Sequence, residues 1–187
     1  LMIDSHDHVT SEVRLVDAME PLNPAVLVAQ RESGIEYEVS HHGDELIILT
    51  NAAGAEDFKL VRVSIDNTGR EHWQDFVAHR PGVLIVSFEV YQHWLVRLER
   101  ENALPRIVVH DLRCAAEHVI AFDEEAYALG MSVGYEFNTD ELRFSYSSMT
   151  TPSAVFDYRM DSRERTLRKV QQIPSGHDSA DYVTRRI

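Results

Sequence analysis

The sequence predicts an all-β protein: a partial β-propeller of about four blades, each of four antiparallel strands, that does not close a ring. Three observations predict it. Short apolar runs alternate with polar residues at period two along the whole chain, the pattern of half-buried strands. Strands that open at Glu45, His93 and Glu141 recur at steps of 48 residues. Asp17, Asp66, Asp111 and Asp161 close the third strand of successive units, where an aspartate carboxylate can bond the backbone two residues on and hold a tight turn. A period of 40 to 50 residues with about four strands in each is the signature of propeller blades.

The elements follow in order. Ser11–Val16 and Val26–Ala29 are the first strands, separated by Pro21 and Pro24. Glu36–Val39, Leu46–Leu49, Lys59–Ile65 and Trp73–His79 make the next set, with turns at Gly43-Asp44, near Gly54 and at Arg80-Pro81-Gly82. Val83–Tyr91, Trp94–Leu98, Pro105–His110 and Glu117–Phe122 make a third. Met131–Phe137, Glu141–Met149, Ala154–Met160 and Thr166–Ile173 make a fourth, and Ala180–Ile187 begins one more strand. In Phe144–Pro152, Phe144 and Tyr146 alternate with polar residues before Thr150-Thr151-Pro152 stops the strand, because proline has no N–H for a ladder. Asp123–Leu129 favours helix by composition but falls where blades connect, and is read as a connection with one helical turn. The expected division is an incomplete blade at 1–33, blades at 34–80, 81–127 and 128–175, and a trailing strand at 176–187. Blade edges left open by such an arc are expected to favour homo-oligomers.

Composition narrows the function classes. Lys and Arg number 18 against 31 Asp and Glu, a net charge of −13, which argues against the basic stripe that nucleic acid requires. An acidic surface confers solubility and can steer basic substrates. Cys114 is the one cysteine, so no internal disulfide is possible and the chain carries no mark of a secreted disulfide scaffold. No apolar run approaches the roughly 18 residues of a membrane span. Leu1 is not an initiator methionine.

Several motifs invite chemistry. Gly130-Met-Ser132-Val-Gly134 matches G-x-S-x-G, but a nucleophile elbow needs a following helix, and Tyr135–Phe137 reads as continued strand. His6-Asp7-His8 and His41-His42 suggest a metal, yet adjacent strand histidines point to opposite faces, and a catalytic site wants a third ligand. They read as turn and surface residues. Cys114 has no neighbour that marks a lowered pKa. Arg163, Arg165, Arg168 and Lys169 read as a solvated face of an outer strand, and Trp73 and Trp94 as blade packing. The sequence therefore assigns no catalytic, cofactor-binding or metal-ligating residue, and no cofactor.

Phe144-Ser-Tyr-Ser-Ser-Met-Thr-Thr-Pro152, with Phe156-Asp-Tyr158, resembles a late propeller segment of the oligopeptidase B (protease II) branch of the prolyl oligopeptidase family. Leu49–Leu60, His79–Gly82 and Ala121–Tyr127 are similar to that family's preceding blades, in the same order. The resemblance implies the C-terminal part of a seven-bladed propeller that covers the active site of a serine peptidase. Such enzymes are expected to be cytosolic and to cleave short peptides after Arg or Lys. Their Ser-Asp-His triad lies in an α/β-hydrolase domain, expected beyond this chain, so no triad residue carries over to any position here. The implied partners are peptide substrates and that hydrolase domain, and the chain by itself is expected to be inactive. Two alternatives stand beside this one. A stand-alone propeller scaffold for protein interactions lacks support from WD-type Gly-His and Trp-Asp marks. A propeller glycosidase or lactonase requires carboxylates or metal ligands converging at the centre.

Overall fold

The computed structural model describes residues 1–132 and 134–186. The chain forms two compact units, Leu1–Leu84 and Ile85–Ile187.

The first unit holds a three-stranded sheet, β1 (Met2–His6), β2 (Ser11–Leu15) and β3 (Val26–Leu27), in that order. It also holds a four-stranded sheet of β4 (Tyr37–His42), β5 (Glu45–Thr50), β6 (Lys59–Ser64) and β7 (Gln74–Val77). Both are antiparallel meanders, as short turns between alternating strands dictate. The core packs Val13 and Val28 from the first sheet region against Tyr37, Val39, Leu46, Ile48, Val61 and Val63, with Trp73 at its border. Tyr37 ties the two sheets by polar bonds as well. Its hydroxyl accepts from the Val13 amide at 2.8 Å and donates to the Ala29 carbonyl at 2.7 Å, while its own amide donates to Ser11 Oγ at 3.0 Å. A buried tyrosine hydroxyl needs such partners, and burial pushes its pKa up.

The second unit repeats the plan. One sheet orders β8 (Val83–Val90), β9 (Trp94–Glu101), β10 (Leu104–Asp111) and β11 (Glu117–Val119). The other orders β12 (Ala128–Ser132), β13 (Glu141–Ser147), β14 (Ala154–Arg159) and β15 (Arg165–Val170). Trp94, Val96, Ile107 and Val109 of the first pack on Leu142, Phe144, Tyr146, Tyr158 and Met160 of the second. Phe144 pairs in register with Phe156, and the two rings stack 5.5 Å apart. His118 and Tyr158 share a hydrogen bond of 2.8 Å across the two sheets.

The repeat is visible in the strands: β5 and β13 open at Glu45 and Glu141, and β9 opens one residue after His93. Asp17 and Asp111 each accept from the amide two residues on, whereas Asp161 accepts from the next residue, Ser162. Four expectations change. β1 has no counterpart among the predicted strands, because it is exposed along its length and carries no alternation. Residues 123–127 bend without a helical turn, and Ala128 already opens β12. Strand β12 ends at Ser132, so Tyr135–Phe137 is irregular, with bends at Tyr135 and Phe137, rather than strand; the Phe137 carbonyl accepts from the Gln92 amide at 2.8 Å. In the segment expected to start a further strand, Ser179–Asp181 is a 3-10 turn, and 182–186 run on without ladder pairing among the described residues.

Candidate functional site

Ser132 ends β12, where it pairs with Arg143 of β13. The cleft beside it is lined by Tyr91, Tyr135, Glu136, Thr139, Glu141 and Arg143, and no histidine stands among its described lining residues. No helix follows to hold a strained turn, so an elbow is not formed. Val133 of the motif lies outside the described residues.

The histidine motifs serve turns. Asp7, between His6 and His8, accepts from the Val9 and Thr10 amides at 2.9 Å each. Those bonds, the Val9 amide first, hold its carboxyl below the usual range. His41 and His42 end β4 at the Gly43 hairpin, opposite Leu46 and Glu45. Among the described residues no group of three His, Cys, Asp or Glu is placed to hold a metal ion. Cys114 is exposed in the β10–β11 turn.

The basic cluster lies on an exposed strand, as its spacing implies, but Arg165 and Arg168 have partners. All of β15 is exposed, yet Arg168 reaches Asp157, which also takes two bonds from Arg143 at 2.6 and 2.9 Å. Asp157 is buried, and these guanidinium groups, Arg143 foremost, hold its pKa at about 2. The Arg165 guanidinium lies 5.3 Å from the Phe122 ring centroid and 5.2 Å from that of Phe156. Period-two spacing shows which residues share a face, but it does not show what stands beneath the long stems of arginine.

Two polar clusters were not legible in the sequence. On the β9–β11 sheet, Arg97 and Glu99 point away from the face of Trp94 and Val96, and both are buried. Arg97 donates to Glu99 at 3.0 Å and to Glu117 at 2.8 Å, and Arg106 donates to Glu99 at 2.9 Å. Burial pushes the Glu117 carboxyl up, but bonds from Arg97 and His110 outweigh it and hold the pKa at about 2.

The second cluster unites two of the stretches that carry the family resemblance. Glu124, from 121–127, accepts hydrogen bonds from Tyr146 Oη and Thr150 Oγ1 at 2.8 Å each, and from Thr151 Oγ1 at 2.5 Å. Ser148 Oγ in turn accepts from the Thr150 and Thr151 amides at 3.0 and 2.8 Å. Burial raises the Glu124 pKa, yet the donated hydroxyl bonds prevail and bring it to about 2. Tyr146 moves upward, through burial first and then its bond to Glu124. The hydroxyls of Tyr146, Thr150 and Thr151 thus bind a carboxylate and build a structural joint.

Comparison with known proteins agrees with this geometry. The profile of the prolyl oligopeptidase N-terminal β-propeller domain matches residues 1–171. The chain is 40% identical over 187 residues to Dipeptidyl aminopeptidase BI of Pseudoxanthomonas mexicana, spanning 100% of this chain and 25% of that protein. It is 28% identical over 183 residues to Protease 2 of Moraxella lacunata, spanning 97% of this chain and 26% of the relative. Among solved structures, oligopeptidase B of Trypanosoma brucei, closed and with covalently bound antipain, superposes with a TM-score of 0.91 at 29% identity, covering 98% of this chain and 27% of that one. Oligopeptidase B of Leishmania major gives 0.86 at 29% identity, covering 96% of this chain and 26% of that one. The chain belongs to the prolyl oligopeptidase family and forms part of its β-propeller domain. It spans about a quarter of the length of the curated relatives it matches.

Proposed function

We propose that this chain is the substrate-gating propeller portion of an oligopeptidase B-like serine peptidase that cleaves short peptides after Arg or Lys. Catalysis then belongs to an α/β-hydrolase domain elsewhere in the protein, by acyl transfer from a serine activated by histidine. The observation that carries this reading is the likeness along nearly the whole chain to oligopeptidase B structures. Among the described residues the one G-x-S-x-G serine, moreover, stands beside a cleft with no histidine in its lining. The residues present supply walls and joints: sheets braced by buried aromatics, and the hydroxyl cage on Glu124. In this reading 1–33 is an incomplete blade, 34–80, 81–127 and 128–175 are blades, and 176–187 leads toward the next. The −13 charge favours approach of Arg- and Lys-containing peptides, and the cytoplasm, where a lone cysteine stays reduced, is the expected compartment.

The test is turnover of an Arg-linked chromogenic peptide by the protein that carries this chain, beside a folded protein with exposed arginines. Cleavage of the peptide and sparing of the folded protein are expected, and this chain alone should be inactive. Equal cleavage of both substrates overturns gating, and turnover by the isolated chain overturns the non-catalytic role.

A second reading has its own support, in the relative at 40% identity whose name is a dipeptidyl aminopeptidase. It predicts release of dipeptides from free N-termini and no cleavage of N-terminally blocked substrates. Rapid cleavage of a blocked Arg substrate decides for the first reading.

A further inference from the structure

Residues 176–186 cross the Glu124 cluster on polar bonds, among them a contact of 3.4 Å between Thr184 Oγ1 and Thr150 Oγ1 and a bond from the Arg186 guanidinium to the Asn102 carbonyl. Thr184 Oγ1 donates to Glu124 Oε2 at 3.2 Å, Arg185 pairs with Glu125 at 2.6 Å, and the Arg186 amide donates to Glu125 at 3.2 Å. At the other end, His177 Nε2 bonds the Thr150 carbonyl at 2.7 Å, and its ring stacks on Tyr182 at 5.5 Å. Tyr182 and Val183 are 61% and 69% exposed. A cleft lined by Glu124, Thr151, Tyr182 and Arg185, among others, runs along it.

We propose that 176–186 is a releasable strap coupled to the β13–β14 turn, with Glu124 as a positioning residue shared by both, beside the direct contacts of His177 and Thr184 with Thr150. One carboxylate takes the turn hydroxyls of Thr150 and Thr151 and the strap hydroxyl of Thr184. The turn's bonds are the shorter ones and are backed by Ser148, so the strap opens first while the turn stays closed. Removing the carboxylate loosens both. The pair of Arg185 and Glu125 is 70% and 44% exposed, so salt weakens this latch without touching the cage. Segments held by a few exposed polar bonds occupy the low-stability end of a fold, which makes the strap the element that moves.

The test is amide hydrogen exchange resolved at three sites in the intact protein. The Arg186 amide reads the strap, the Thr150 and Thr151 amides read the turn, and those of Val96 and Val109 read the central ladder. Thr184→Val and Glu125→Ala are each expected to speed exchange at Arg186, by about two- to fivefold, as exposed polar bonds permit, with no change at Thr150 and Thr151. Glu124→Gln is expected to speed exchange at all three of those amides and to leave Val96 and Val109 unchanged. A wild-type Arg186 amide that exchanges like an open chain, or a Thr184→Val variant that leaves its rate unaltered, overturns the strap. Glu124→Gln that speeds the turn but not Arg186 overturns the coupling. If Glu124→Gln also exposes Val96 and Val109, global unfolding has intervened, and Thr184→Val and Glu125→Ala decide the strap while a Thr150→Val, Thr151→Val double variant tests the coupling from the other side: a strap sped by that variant upholds it, an unaltered one overturns it.

Discussion

Glu99 accepts from the guanidinium groups of Arg97 and Arg106, whereas Glu124 accepts from the hydroxyls of Tyr146, Thr150 and Thr151. Glu99 sits mid-strand and is buried, held inside a ladder whose register fixes its partners opposite, Glu99 against Arg106. Glu124 sits on a connection and gathers side chains from a hairpin turn more than twenty residues away. The difference is one of consequence. A buried charge among charges is costly to leave unpaired, because the Arg97 guanidinium beside it is shut off from water. Hydroxyls deprived of a carboxylate can rotate to other acceptors, so the second cluster fails more gently.

The largest expected effect tests that asymmetry directly. Glu99→Ala leaves the buried Arg97 short of one partner and is expected to cost about 3–5 kcal/mol of unfolding free energy in denaturant titrations. Phe144→Ala, which empties a fully buried site without touching either cluster, is expected to cost about 3–5 kcal/mol and calibrates that loss against packing alone. Glu124→Gln is expected to cost less, about 1–2 kcal/mol, in keeping with neutral hydrogen bonds in place of charge-assisted ones. Equal losses for Glu99→Ala and Glu124→Gln would break the contrast.

Acid sharpens it. Glu117 and Glu124 both have folded-state pKa values held at about 2, below the ordinary value of 4.5. A depressed carboxyl contributes stability that is fully present above the unfolded pKa and lost as pH falls through the folded one. Stability should therefore decline between about pH 4.5 and pH 2, and Glu117→Gln and Glu124→Gln should each flatten that decline in urea midpoints measured along a pH series. The smallest effect belongs to Glu125→Ala, which is expected to leave the midpoint unmoved and to show only in local exchange at Arg186.

Strands such as β4 and β13 were legible because the chain writes their burial as alternation. Leu142, Phe144 and Tyr146 are buried on β13, and Arg143 and Ser145 between them are not. β1 was not legible for the converse reason: Met2-Ile-Asp-Ser-His6 is exposed throughout, and an edge strand with no buried face leaves no period in the sequence. Tyr135–Phe137 misled because aromatic residues suggest a strand, while Tyr135 is in fact fully exposed. The burial of Arg97 and Glu99 was not legible, since alternation says which residues share a face but not whether that face is covered. Glu124 and Thr151 were both inside stretches that carry the resemblance, yet nothing in a linear pattern marks a carboxylate as the acceptor for hydroxyls on another hairpin.

Each unit holds one of the two tryptophans: Trp73 at the border of the first core, against the Tyr37 ring, and Trp94 within the second, its indole N–H on Asp140 and its face under Arg113. The molecule thus carries a separate optical reporter in each half. Trp73→Phe and Trp94→Phe leave one emitter apiece, so fluorescence can follow the melting of one half while the other stays dark.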